Sequence, residues 1–245
     1  MRKSLHKKGF SLTEVLLAIG TLAIGMSFVG GTFLVGVHLS SVATERTIAA
    51  VVADEAFTKI QLYDVGFAAS MMPSTKKQYI YTDIYSISTE ELSYPSTKTS
   101  YEKQYYWSAL CRPVYSVSAA NIMQVTVFVS RKVGSSLGIP GPVEVPVSVV
   151  AGTGNENKLT ITDPGQESYI NAGSKIIANQ TGKIYRVVER DAASENIIVL
   201  DIPWQETETD SVWAVPPLVG GKSPCIAVYQ KELRFELINQ VSGMR

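Results

Sequence analysis

Glu14 carries the most pointed chemistry in this chain. No Asp, Glu, Lys or Arg follows it from Val15 to Thr44, so one carboxylate stands at the head of a long apolar run. A carboxylate at a membrane edge is costly and usually has a partner. Elsewhere reactive groups are sparse. The only histidines are His6 and His38, so the chain beyond them can build neither a His-based triad nor a His-containing zinc site. Gly220-Gly221-Lys222-Ser223 ends like a phosphate-binding loop. Pro216, however, stands where that motif's first glycine belongs, and Pro224 blocks the helix that should follow. Glu206, Glu208 and Asp210, and Asp163 with Glu167, lack the ligand number and turn glycine of a calcium loop and read as solvated acids. Lys175, Lys183, Arg186 and Arg190 read as a charged strand face rather than a nucleic-acid surface. Asn179-Gln180-Thr181 matches a sequon by spacing alone. No catalytic constellation, metal set or cofactor site is expected, and neither is enzyme activity.

Cys111 and Cys225 are the only cysteines. A single disulfide between them would close a long loop and stabilise by roughly 4 kcal/mol if unstrained. Their apolar neighbours Leu110 and Ile226 suit two buried free thiols as well. Both readings stay open at this point.

The element that must position Glu14 is the apolar run itself. At about 1.5 Å per helical residue it is ample for a bilayer core, which needs about 20 residues. Ahead of it lie Arg2, Lys3, Lys7 and Lys8 with no acid, a bias that holds the N-terminus on the cytoplasmic side. An ordinary signal peptide is cut after its apolar core. Here Gly9 precedes the core, so a cut after it would remove only the basic leader. The spacing predicts one helix from about Ser11 to Asp64, apolar all round at first and one-faced later. Ile48, Val51 or Val52, Ala56, Ile60 and Tyr63 recur at three- and four-residue steps. Small residues punctuate the first half, either to admit another helix or because glycine is common in membrane helices. The pair Gly30-Gly31 is a point of softness, each glycine costing about 1 kcal/mol in a helix.

A basic leader, Gly9-Phe10, and Glu14 at the start of an apolar helix together resemble the N-terminal signature of type IV pilins and type II secretion pseudopilins. The resemblance covers roughly the first 65 residues. It implies cleavage between Gly9 and Phe10, methylation of the new Phe10 amino group, and assembly through Glu14, which pairs with a neighbouring subunit's amino group. Expected partners are a prepilin peptidase/methyltransferase, other pilin or pseudopilin subunits, an inner-membrane assembly platform with its ATPase, and membrane lipid. The expected location is the inner membrane, with one span and an exported C-terminal region, then a pilus or periplasmic pseudopilus. Many major pilins carry a proline where this chain has Gly31, which leans toward a minor subunit. Three roles follow: minor pilin, minor pseudopilin, or a filament-borne adhesin or DNA- or substrate-binding subunit. The formal charge is zero overall, but removing the four leader cations leaves 18 cations against 22 anions, which argues against nucleic acid as a partner.

Beyond the helix, residues 67–100 read as a connection with a short strand near Tyr79 to Tyr81. Tyr105 to Val117 and Ile122 to Lys132 read as a strand pair, similar to the sheet that follows the helix in minor pilins and pseudopilins. Pro140, Pro142 and Pro146 mark turns. Short strands then recur at Leu159–Thr162, Ser174–Ala178, Lys183–Glu189, Asn196–Asp201, Val212–Val215 and Ala227–Leu233, a pattern of a small barrel or extended sheet. It is loosely similar to SH3-type barrels in strand number. The expected fold class is α+β. The expected organisation is a leader (1–9), an assembly half of the helix (10–39), an amphipathic half (40–66), a pilin-like sheet region (67–150) and a strand-rich C-terminal module (151–245).

Overall fold

The computed structural model describes residues 11–62, 80–81, 87, 90–96, 104–113, 122–132, 141–191, 194–206, 209–217 and 223–235. The fold is α+β: one long helix, α1 (Leu12–Leu62), then antiparallel strands. The chain divides into two units, residues 1–46 and residues 47–245, so the last turns of α1 belong to the second.

In the first unit every residue from Ser11 to Ser41 is exposed. The all-round apolar sequence has no polar face to turn outward, and several of its hydroxyls bond within the helix. Thr21, Ser27, Thr32 and Thr44 donate to the carbonyls of Ala18, Ala23, Val29 and Ser40 at 2.9–3.0 Å.

From Thr47 onward the helix becomes one-sided. Ala49, Val52, Ala53, Ala56, Phe57 and Ile60 are buried, the i, i+3, i+4, i+7 rhythm of a core-facing stripe. Val52, Ala56 and Ile60 of the expected stripe lie on this buried face, while Tyr63 lies outside the described residues. Ile48 is half-buried, Val51 is exposed, and Phe57, absent from that reading, is buried. Small alanines let the helix approach a sheet formed by β1 (Ile80–Tyr81), β2 (Ser93–Tyr94), β3 (Tyr105–Pro113), β4 (Ile122–Arg131) and β11 (Cys225–Arg234). β1 and β2 both pair with β3, and the order across the sheet is β1-β3-β4-β11. Alternate residues of β4, namely Met123, Val125, Val127 and Val129, face the helix with Trp107, Ala109 and Leu233. Lys59 straps the segment before β3 onto the helix. It pairs with Glu55 at 2.8 Å and Glu91 at 2.7 Å, and it donates to the Glu91 carbonyl, which also receives Trp107 Nε1.

Between β4 and β11 the chain leaves the sheet and builds a closed six-stranded barrel. Its strands are β5 (Val143–Val149), β6 (Lys158–Ile161), β7 (Lys175–Ala178), β8 (Ile184–Arg190), β9 (Ile197–Leu200) and β10 (Thr209–Ala214). They close in the order β10-β5-β6-β9-β8-β7. Period-two alternation sends Val145, Val147, Leu159, Ile161, Tyr185, Val187, Ile198 and Leu200 inward, and closure removes the exposed edges that an open sheet would leave. The first and last barrel strands are neighbours, with Ala214 paired to Val143.

This topology redraws the organisation expected from sequence. Residues 143–149, assigned there to the sheet region, are barrel. Cys225–Arg234, assigned to the C-terminal module, is a sheet strand paired with β4 along its length. The reason is that alternation reports a strand but not its partner. Nothing local in Ala227–Leu233 says that its partner lies a hundred residues upstream.

The same pairing overturns the disulfide. Cys111 lies opposite Val125 and Cys225 opposite Ser130, on the two strands flanking β4. Five residues along and two strands across place their Cα atoms about 19 Å apart, whereas a bridge needs about 4.4–6.8 Å. Cys111 packs on the helix side of the sheet and Cys225 on the barrel side. Neither cysteine is in a disulfide. Burial pushes the Cys225 thiol up to about 12, against the nearby Lys175 charge and the backbone, so it is a poor nucleophile. Labelling of the unfolded, unreduced protein should therefore count two thiols, and the folded protein should react slowly at both. A count of zero would show a disulfide and a different sheet register.

Candidate functional site

The head of α1 is a reciprocal cap. Ser11 Oγ accepts the Glu14 N–H at 3.2 Å, and Glu14 Oε2 accepts the Ser11 N–H at 2.9 Å. The Ser11 carbonyl takes the Val15 N–H at 3.2 Å, the first bond of the helix. Two N–H groups that would otherwise lack partners at the helix start are thus satisfied by two side chains. The cap's signal in the sequence is Ser-x-x-Glu before an apolar run, which the expectation for Glu14 as a membrane-edge charge did not include. The carboxylate also sits where the helix macrodipole favours negative charge. Gly9 and Phe10 lie outside the described residues.

Below this cap the helix runs uninterrupted through Gly30 and Gly31. A Cβ built at either glycine would meet no atom within 4 Å. The helix is long and apolar enough to cross a membrane, with a mean hydropathy of 1.9 in its membrane-length window. The arrangement therefore offers a lipid-compatible rod with a single carboxylate at its tip. One oxygen of that carboxylate is engaged by its own helix.

The remaining candidates do not converge. Lys175 lies opposite Arg186 across β7 and β8. Arg190 donates twice to the Ile170 carbonyl, at 3.1 and 2.8 Å, while Lys183 donates to Gln205 at 2.7 Å and lies over the Tyr185 ring. The Arg190 and Lys183 side chains are thus engaged within the barrel. Asp163 takes the Gly165 N–H in a local turn. Glu206 accepts from the Thr181 hydroxyl, and Glu208 lies outside the described residues, as do Gly220, Gly221 and Lys222. Among the described residues no three His, Cys, Asp or Glu side chains form a metal-holding group. The sequon asparagine, Asn179, is buried, and its Oδ1 takes the indole N–H of Trp213 at 3.0 Å.

Among the described residues, Asp210 is the carboxylate that holds its proton more tightly than usual. Burial pushes it above its ordinary 3.8, aided by the charges of Glu206 and Glu144 and opposed by the Ser211 and Gln180 backbone N–H groups. The folded state then holds this proton more tightly than the unfolded chain does. Its contribution to stability is complete below 3.8 and is lost as pH rises through the raised folded value. Asp210→Asn, which can still accept from Gln180, should be more stable than the parent at neutral pH. The difference should shrink on acidification toward pH 3. Denaturant titrations at a series of pH values test this, and a pH-independent difference would refute it.

Comparison with protein-family models, with curated proteins and with solved structures finds no match to this chain.

Proposed function

We propose that this chain is a minor pilin-like structural subunit of a type IV pilus-type filament. It is inserted in the inner membrane as a precursor, cut after Gly9, methylated at Phe10 and assembled through its N-terminal helix. One observation carries the reading: from Ser11 to Ser41 the helix is exposed, apolar and headed by the single carboxylate of Glu14. An apolar rod of this length is stable only in lipid or among other helices. An ordinary anchor would have no use for a charge at its tip. Filament assembly uses all three features in turn, since lipid holds the rod before assembly, other rods replace lipid afterwards, and the carboxylate receives an incoming amino group. In this role the protein is a building element, and the cleavage and methylation are done to it by a peptidase/methyltransferase.

The test is the N-terminus. Mass spectrometry of the membrane-bound or filament-borne protein should find a peptide that begins at methylated Phe10. A protein that still begins at Met1 in cells with active prepilin peptidase would overturn the proposal.

A further inference from the structure

We propose that the barrel turn Asn179–Gly182 is a latch that sets the barrel's orientation on the sheet. The sheet face away from the helix meets the barrel through an apolar seam in which Leu110, Phe128 and Val228 pack against Ile177 and Trp213. Beside the seam lies a polar patch built from three strands. Arg112 on β3 donates through Nη1 to the Gln180 carbonyl at 2.9 Å and through Nε to Gln124 on β4. Gln230 on β11 donates to the Gly182 carbonyl at 2.6 Å and to Thr126 on β4 at 3.1 Å.

The turn is shaped to receive these bonds. Gly182 has φ +77°, in the left-handed region that favours glycine, and its N–H closes the turn on the Ala178 carbonyl at 2.9 Å. The Trp213 indole holds the Asn179 side chain from the barrel side. The two kinds of contact do different work. Apolar burial scales with area and is non-directional, so the seam alone would tolerate rotation or sliding. Hydrogen bonds weaken steeply away from their axis. Donors from two separate strands, each braced on β4, reach two carbonyls of one turn and leave a single orientation. The seam holds the barrel to the sheet, and the latch aims it. This inference is independent of the filament reading.

The test is a distance distribution from pulsed electron spin resonance on the full-length protein in detergent micelles. Spin labels go on Thr58→Cys of α1 and Val188→Cys of β8, both exposed positions, while the slowly reacting native thiols stay unlabelled. The parent should give one narrow distance. Arg112→Met combined with Gln230→Leu, which keeps bulk but removes both donors, should broaden or split it with circular dichroism unchanged. Gly182→Ala, which strains the φ +77° turn and alters no sheet residue, should do the same. Arg112→Lys, which keeps a cationic donor, should stay closer to the parent than Arg112→Met. If the double variant fails to fold, Gln230→Leu alone is read the same way. A variant distribution as narrow as the parent's, or a parent distribution that is already broad, overturns the latch.

Discussion

On the filament role proposed above, Glu14→Ala should remove this protein from filaments while leaving it in the membrane. The apolar run is untouched by the change, so insertion and processing should proceed. The loss falls on assembly, because an incoming amino group would enter an apolar helix bundle with no partner. Leaving one member of a buried ion pair unmatched costs about 3–5 kcal/mol. At about 1.4 kcal/mol per tenfold, incorporation should fall at least about a hundredfold. The same change also removes half of the Ser11–Glu14 cap, which is worth about 1 kcal/mol and is too small to account for such a loss. Ser11→Ala therefore serves as the control for capping alone. The measurement is the ratio of this chain in sheared filaments to that in the membrane fraction. Incorporation of Glu14→Ala at the parent's level would show that the carboxylate has no role in assembly.

Phe128→Ala should be among the most damaging changes outside the helix. The ring is 0% exposed at the centre of the seam between sheet and barrel, where it touches residues of both. Truncation leaves a cavity that neither body can collapse into, because β4 is held by β3 on one side and β11 on the other. Large aromatic-to-alanine changes in such sites cost about 3–5 kcal/mol. Val188→Ala on the barrel's outer surface, where the side chain is 53% exposed, should change stability by less than about 0.5 kcal/mol. Denaturant unfolding of the detergent-solubilised protein separates the two. A loss below about 1 kcal/mol for Phe128→Ala would mean that the seam is not packed as described.

Local features of the sequence were the legible ones. The helix from Leu12 to Leu62 follows from an uncharged run and a three-four rhythm, both of which are properties of neighbouring residues. Five of the six barrel strands follow from alternation and turn residues in the same way; β5 does not, because Pro146, expected to mark a turn, lies inside it opposite Ser211. Partnership was not legible. Cys225 and Ala227–Leu233 sit next to barrel strands in sequence, yet pair with β4 across the whole insertion. The placement of the two thiols on opposite faces of one sheet depends on that pairing and on its register. Asn179 had the opposite problem: its sequon spacing is a local signal, whereas its burial under Trp213 is a tertiary fact. The cap is a local signal too: Ser11-x-x-Glu14 ahead of an apolar run is a capping pattern, distinct from the charge of Glu14.

The adjacency of Val143 and Ala214 changes how the sheet can be completed. β4 and β11 are separated by nearly a hundred residues, and closing so long a loop is slow because its entropy is lost before any contact forms. A chain made from its N-terminus has all six barrel strands before β11 exists. Once those strands close, the barrel's two ends are held side by side. To the sheet, the whole barrel then acts as a tight turn, and the long-range pairing of β4 with β11 becomes a hairpin. The fold thus turns its most distant contact into a near one, provided that the guest folds before its host.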